Sequence, residues 1–313
     1  MKFAVLIVTY NRKQLLAECL DCVMRQTLSF SRICVIDNCS TDGTGAYLDQ
    51  LASAYSCEQT APVLDIHHLE ENLGGAGGFS FGLSILAETD CDWVLLIDDD
   101  AMIAENYIEE LEKAIETTDY LAYSGSVTTG GRIDLIHRRI LKNSLFMTYK
   151  AVPEDAYTSQ TFAYDISTFC GLLLKTSLVR EIGLPRAEYF IWFDDTEYCL
   201  RFNRRSRILN VNGAVLNHKT APPEKAPAIC WKSFYGFRNA IDIGRTYSSF
   251  PALYLLSIRL NHLAHILLDT IGLTLGSDPD TRRYRIQVYR DVLKGIGKKP
   301  DGADPRYLPG SSK

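Results

Sequence analysis

Trp93-Val94-Leu95-Leu96-Ile97-Asp98-Asp99-Asp100 carries an apolar run straight into three consecutive carboxylates. Apolar residues without alternation read as a strand buried on both faces, which is the signature of a parallel sheet. Upstream, Phe3 to Val8 and Arg32 to Ile36 read the same way, and Val63 to His67 is a further strand. Helical spacing fills the gaps between them: Arg12 to Gln26, with Leu15, Leu16, Cys19 and Val23 on one face, a helix ending near Leu51, and another ending at Leu86. A fourth runs from Glu105 to about Glu116. Strands alternating with helices predict a parallel α/β sheet covered on both faces. Ligands of such sheets bind beyond the carboxyl ends of the strands. Thr9-Tyr10, Asp37, the loop at Asn72 and the Asp98-Asp99-Asp100 triplet all fall at such ends.

Three carboxylates at a buried strand end repel one another, and a hard divalent cation such as Mg²⁺ or Mn²⁺ removes that cost. Alternate residues of an extended chain face the same way, so Asp98 and Asp100 can share one ion. The competing reading is a solvated acidic turn capping the next helix. Asn72-Leu73-Gly74-Gly75-Ala76-Gly77-Gly78-Phe79 reads as a glycine-rich loop opening into a helix, where backbone can approach a ligand; the alternative is a tight turn with close helix packing. It has neither the dinucleotide spacing nor the Gly-Lys-Ser/Thr of a Walker loop. Asp37 can accept from a base or ribose, or simply start a turn.

A second acidic cluster sits in Phe190-Ile191-Trp192-Phe193-Asp194-Asp195-Thr196-Glu197-Tyr198. One of its carboxylates can serve as a general base, since a neighbouring charge and partial burial raise a carboxyl pKa. As an alternative, Asp195 caps a helix and Arg201 pairs locally. His218 closes an apolar run and is a candidate metal ligand or an ordinary loop histidine. After residue 120 two or three short strands are expected, including Tyr120 to Val127 and Phe169 to Leu174. A proline loop follows at Pro222, Pro223 and Pro227, then a mainly helical stretch from Ala228, and an exposed tail after Gly297.

Composition excludes other classes. The net charge is −5, so no global positive field draws the chain to nucleic acid. Nine cysteines at irregular spacing read as reduced thiols rather than a disulfide framework. Cys19, Cys22, Cys34 and Cys39 raise a zinc site, but Cys34 lies inside an apolar strand and reads as core. No secretory leader is read at the amino end, and Pro251 to Leu275 is interrupted by Arg259, His262, His265 and Asp269, so it is a poor membrane span. A cytoplasmic protein is expected, with room for peripheral contact with the inner face of the plasma membrane.

Taken as a set, Val8-Thr9-Tyr10-Asn11-Arg12, Ile36-Asp37-Asn38-Cys39-Ser40-Thr41-Asp42-Gly43-Thr44, Asn72-Leu73-Gly74-Gly75 and Asp98-Asp99-Asp100 resemble the family-2 glycosyltransferases. The resemblance reaches to the Phe234-Tyr235-Gly236-Phe237-Arg238-Asn239 element. It implies the GT-A fold, a Rossmann-like nucleotide-diphospho-sugar transferase domain over 1–228, with a helical extension over 229–313 for acceptor, oligomer or membrane contacts. It implies that Thr9, Tyr10, Arg12 and Asp37 hold a uracil or thymine nucleotide, and that Asn72, Gly75 and Asp99 line the donor site. Asp98, Asp100 and His218 would bind the metal, Mn²⁺ or Mg²⁺. Asp195, with Asp194 beside it, would be the base in an inverting displacement. The aromatic and acidic motifs look most like bacterial galactofuranosyltransferases, which implies UDP-galactofuranose as donor and a glycan or lipid-linked glycan of the cell surface as acceptor. A rhamnosyltransferase using dTDP-rhamnose is the alternative enzyme, and a nucleotide-sugar-binding protein without turnover is the non-enzymatic one. Polymerising relatives are much longer, with an added amino-terminal β-domain, and the chain lacks that length, so single addition is expected. Arg282, Arg283, Arg285, Arg290, Lys294, Lys298 and Lys299 beside the apolar stretch form a candidate anionic-membrane surface, with an oligomer contact or a solvated helix as alternatives.

Overall fold

The computed structural model describes residues 1–55, 62–220, 229–274 and 278–309. Cys57 and the proline loop at Pro222, Pro223 and Pro227 lie outside the described residues. The elements run β1 (Phe3–Thr9), α1 (Lys13–Met24), β2 (Arg32–Asp37), α2 (Thr44–Tyr55), β3 (Val63–His68), α3 (Gly74–Leu86), β4 (Trp93–Asp98), β5 (Ala101–Ile103) and α4 (Tyr107–Thr117). There follow β6 (Ala122–Thr129), β7 (Arg132–Ile133), β8 (Arg138–Asn143), β9 (Thr148–Ala151), β10 (Thr161–Tyr164), β11 (Ile166–Ser167), β12 (Leu172–Lys175), α5 (Thr176–Ile182), α6 (Asp194–Phe202) and β13 (Ile208–His218). The chain closes with α7 (Trp231–Tyr247), α8 (Pro251–Thr270) and α9 (Pro279–Gly295).

The expected parallel sheet is present as β3-β2-β1-β4, but it is one half of a larger mixed sheet, ordered β10-β13-β6-β12-β4-β1-β2-β3. β12 lies antiparallel between β4 and β6. Period-two alternation sends β1 both ways: Phe3, Val5 and Ile7 join Leu16, Cys19 and Leu20 of α1 in one core, while Leu6 and Val8 face α3. The register pairs Thr9 with Asp37 and Val8 with Asp98, so three strands deliver polar residues to one edge.

Two expectations need correction. Helix α3 begins at Gly74, so Gly75, Gly77 and Gly78 are helical rather than loop residues, while Gly82 lies within the helix as expected. A Cβ at Gly78 would lie 2.5 Å from Val8 Cγ1 and one at Gly82 2.2 Å from Leu6 Cδ1. These glycines serve close helix–strand packing. Gly75 alone of this set faces open space. Second, among the described residues eight strands rather than two or three follow residue 120. Several are short and polar, as in Thr148–Ala151, and carry little hydrophobic signal.

The chain forms two compact units, one of Met1–Ile140, Lys150–Ala187 and Asp195–Thr220, the other of Leu141–Tyr149, Glu188–Asp194 and the described part of 221–313. The second is built around Phe190, Phe234, Tyr235, Ile241, Val288, Val292 and Tyr307. The tail after Gly297 is not free: Tyr307 is fully buried, stacks on Phe234 at 4.3 Å and donates to Asp291 at 2.9 Å. An aromatic ring repays burial that the surrounding Pro and Gly composition conceals. On α8, Leu253, Leu256, Leu260, Leu263, Leu267 and Ile271 are exposed, spaced to form one stripe along the helix. Among the described residues no helix is long and apolar enough to cross a membrane.

Candidate functional site

Thr9, the last residue of β1, donates its hydroxyl to Asp99 Oδ2 at 2.7 Å. Arg12, where the chain leaves that strand, reaches Asp99 Oδ1 at 3.2 Å and Asp100 Oδ2 at 2.6 Å. The other oxygen of Asp100 lies 3.1 Å from His218 Nε2. His218 is placed by β13, which pairs it with Ala101. Thr9, Arg12, Asp98, Asp99, Asp100 and His218 thus meet at one end of the sheet, although 209 residues of numbering separate Thr9 from His218.

The charges there are not equivalent. Burial pushes Asp98 up, and Asp100 and Asp99 push it further. Asp99 is raised to about 6 by burial, against the pull of Arg12 and the Thr9 bond. Desolvation works the same way on Asp100, but the His218 and Arg12 contacts outweigh it and hold that carboxyl below its usual range. Asp98, Cys170 and His218 place one donor atom each within 4.8 Å of one another, and buried His218 Nδ1 has no hydrogen-bond partner among the described residues. A carboxylate short of counter-charge and an orphaned imidazole nitrogen fit a divalent cation. Asp100, by contrast, has both oxygens engaged by protein. Cys170 was not singled out from the sequence, where it looks like a core thiol; only β12 pairing with β4 shows where it stands.

The neighbouring strand end holds Asp37, buried, with Oδ1 accepting from Ser40 N at 3.0 Å and Oδ2 lying 2.9 Å from His68 Nδ1. Asn72 Oδ1 accepts from Gly74 N at 2.8 Å and so shapes the entry to α3. Gly75 follows in the first turn of that helix with open space around it. Tyr10 is half-buried beyond β1 and has no hydrogen bond among the described residues.

Asp195 belongs to a separate local network. Its Oδ1 accepts from Thr196 Oγ1 at 2.9 Å, and its Oδ2 lies 3.9 Å from Arg139 Nη2. Arg139 also donates to Thr196 Oγ1 at 3.0 Å. Asp194, the first residue of α6, is buried. Just before it in the chain, Phe190, Trp192 and Phe193 have φ of 63°, 65° and 68°, a left-handed backbone that costs L-residues about 1–3 kcal/mol each. Asn239 Nδ2 donates to the carbonyls of Tyr189, Ile191 and Trp192 at 3.0, 3.1 and 2.8 Å and fixes that turn. Trp192 is 44% exposed, so it does not belong to a core.

Arg138, Arg139, His137 and Asp134 escaped the sequence reading. Arg138 is fully buried and donates to Gly125 O at 2.8 Å, Cys170 O at 3.2 Å and Ser167 Oγ at 3.1 Å. A buried arginine held by carbonyls leaves no mark in a sequence.

A model of the family described as Glycosyl transferase family 2 matches residues 4–175. The chain belongs to glycosyl transferase family 2. It is 24% identical to galactofuranosyltransferase GlfT2 of Mycolicibacterium smegmatis, over 97% of this chain and 53% of that protein. It is 28% identical to galactofuranosyltransferase GlfT1 of Mycobacterium tuberculosis, over 76% of this chain and 80% of that one. The chain therefore spans about half the length of GlfT2. Among solved structures, GalNAc-T7 with UDP, GalNAc and Mn²⁺ is similar over 95% of this chain and 56% of that one, with a TM-score of 0.63 at 14% identity. The fold is GT-A, with a mainly helical carboxy-terminal region.

Proposed function

We propose that this protein is an inverting, metal-dependent glycosyltransferase that moves galactofuranose from UDP-galactofuranose onto a glycan or lipid-linked glycan of the bacterial cell surface. The observation that carries the reading is the meeting of Thr9, Arg12, Asp98, Asp99, Asp100 and His218 at the ends of β1, β4 and β13. The likeness to galactofuranosyltransferases supports the donor.

In this reading Thr9, Tyr10, Arg12 and Asp37 receive the nucleotide, and Asn72, Gly75 and Asp99 line the donor. Open space at Gly75, at the amino end of α3, lets a diphosphate approach backbone N–H groups. Asp98, Asp100 and His218 would hold Mn²⁺ or Mg²⁺, with Cys170 alongside. A cation bound there would offset the negative charge that gathers on the departing diphosphate. Asp100 is already held by Arg12 and His218, so these two residues fix the carboxylate that takes part. Asp195 takes the proton of the acceptor hydroxyl as its oxygen bonds to the anomeric carbon, and the bond from that carbon to the diphosphate breaks on the opposite face. Arg139, 3.9 Å away, orients Asp195 for this step. Asp194 sits beside it at the start of α6. The helical region over 229–313 is assigned to the acceptor, to a second copy or to a membrane surface, with the α8 leucine stripe and the basic residues of α9 as the contact.

Donor hydrolysis tests the reading. Purified protein is given UDP-galactofuranose, dTDP-rhamnose, UDP-galactose and UDP-glucose, each with Mn²⁺ or EDTA, and nucleotide release and binding are followed together. UDP release from UDP-galactofuranose that EDTA abolishes is expected. Release from dTDP-rhamnose instead would keep the chemistry and replace the donor. Binding without release in the presence of acceptor would leave a binding protein. Neither binding nor release with any donor would remove the reading.

A further inference from the structure

Beyond the acid cluster, His218 meets a second set of donors. Asp134 follows β7 and His137 directly precedes β8. Asp134, His137 and His218 each place one ligand atom within 4.8 Å of the others. The two imidazole rings stand edge to face with centroids 5.0 Å apart. His137 is buried, and both His137 Nε2 and His218 Nδ1 are buried with no hydrogen-bond partner among the described residues. Such a nitrogen is destabilising if nothing occupies it. Two of them beside one carboxylate are a costly arrangement for a site that binds nothing.

The remaining atoms of all three residues are anchored. His137 Nδ1 lies 2.8 Å from Thr168 Oγ1. Asp134 Oδ2 accepts from Thr129 Oγ1 at 2.9 Å and Oδ1 from Ile136 N at 3.2 Å. His218 Nε2 lies 3.1 Å from Asp100 Oδ1. A histidine whose outer nitrogen is held by a carboxylate or hydroxyl, and whose inner nitrogen is free, is oriented as a metal ligand. His137 Nε2 and Asp134 Oδ2 are 3.5 Å apart. Ligands bound at 2.0–2.1 Å in a tetrahedron stand about 3.3–3.4 Å apart, so this pair is set at the edge length of a zinc site.

We propose that Asp134, His137 and His218 form a second cation site, for a borderline transition-metal ion of the Zn²⁺ class, with a fourth position left open. Two imidazoles and a carboxylate favour Zn²⁺ over Mg²⁺, which takes oxygen ligands. The site shares His218 with the set of Asp98 and Cys170, and its test does not depend on which sugar the enzyme transfers. Since His218 also belongs to the set with Asp98 and Cys170, one ion of the Zn²⁺ class takes a ligand from the other set.

The intact chain is loaded with one equivalent of Zn²⁺, and separately with Co²⁺ as a visible probe. X-ray absorption of the zinc form should show two imidazoles in the first shell, and Co²⁺ should give the intense d–d bands of a four-coordinate site. Both signals should persist in Asp98→Asn. His137→Gln should weaken Zn²⁺ by at least about 100-fold, since loss of an outer partner alone costs 10–100-fold. If that buried variant does not fold by circular dichroism, Asp134→Asn is titrated in its place with the same expectation. One imidazole or none in the wild-type spectrum overturns the proposal, as does Zn²⁺ affinity unchanged by both variants. Loss of both signals in Asp98→Asn places the ion in the acid cluster and also overturns it. No outcome depends on sugar transfer, so failure of the galactofuranose reading leaves this test intact.

Discussion

Gly82→Ala isolates the packing that brings α3 onto β1. An added Cβ would sit 2.2 Å from Leu6 Cδ1, 2.8 Å from Cδ2 and 3.1 Å from Cγ. Ordinary carbon contacts are about 3.5–4.0 Å, so the two groups must separate by well over an ångström. Leu6 has little room to yield. It is fully buried, and its strand is paired on both sides, with Cys34 and with Leu96. Overpacking of this kind costs about 1–3 kcal/mol. Alanine in place of helical glycine returns about 0.5–1 kcal/mol. Gly75→Ala, in the same helix with nothing within 4 Å, keeps the gain without the clash. The difference between the two variants therefore reads the clash alone, about 1–3 kcal/mol, or several degrees in melting temperature at roughly 2–4 °C per kcal/mol. Thermal and urea unfolding of both variants against wild type measures it. A Gly82→Ala protein that melts at or above Gly75→Ala would refute the packing argument. The same Gly75→Ala protein is expected to bind donor more weakly despite its stability, because the methyl fills the space assigned to the diphosphate.

Three further outcomes are expected. Asp195→Asn should lower the transfer rate by about 10²–10⁴-fold while donor affinity, measured calorimetrically, stays as in wild type; a loss under tenfold would assign the proton transfer elsewhere. The His68 ring is held above its ordinary value first by its hydrogen bond to Asp37 and then by Asp49. Because the folded value is the higher one, its contribution to stability is complete below about pH 6.5 and disappears as pH rises through the folded value. The melting difference between wild type and His68→Gln should shrink from acid to alkaline pH, and a difference that grows would reverse the sign. Wild type should float with anionic vesicles of phosphatidylglycerol at low salt, and Leu260→Glu with Leu267→Glu should not; equal flotation would remove the α8 stripe from any lipid contact.

Much of the site's first half could be read from the chain because continuous apolar runs ending in carboxylates have few alternatives. Phe3–Val8, Arg32–Ile36 and Trp93–Ile97 have to be buried strands, and Asp37 and Asp98 have to end them. His218 was legible for the same reason, as the polar stop of an apolar run. The glycines from Gly74 to Gly78 read as a loop because a helix that needs close approach to a strand and a loop that needs free backbone use the same residue. Cys170, His137 and Asp134 could not be placed, since the antiparallel insertion of β12 and the short strands around β8 bring them to the sheet edge, and no local pattern encodes that. Arg138 is the extreme case. Its charge argues for the surface, and six hydrogen bonds to five acceptors among the described residues, Gly125 O and Asn210 Oδ1 included, make its burial tenable.

Trp192 stands on left-handed backbone with about half its surface in water, and a Cβ at Gly236 would lie 2.8 Å from its Cε3. One edge of the indole is therefore braced while a face remains open. The protein's other tryptophans are Trp93, buried in β4, and Trp231, half-buried at the start of α7. Red-shifted, iodide-quenchable emission should then come mainly from Trp192. A saccharide laid on that face expels water from the ring, moving the emission to shorter wavelength and shielding it from quencher. Titrating candidate acceptors against this emission would test whether a sugar docks on Trp192, with no label and no turnover.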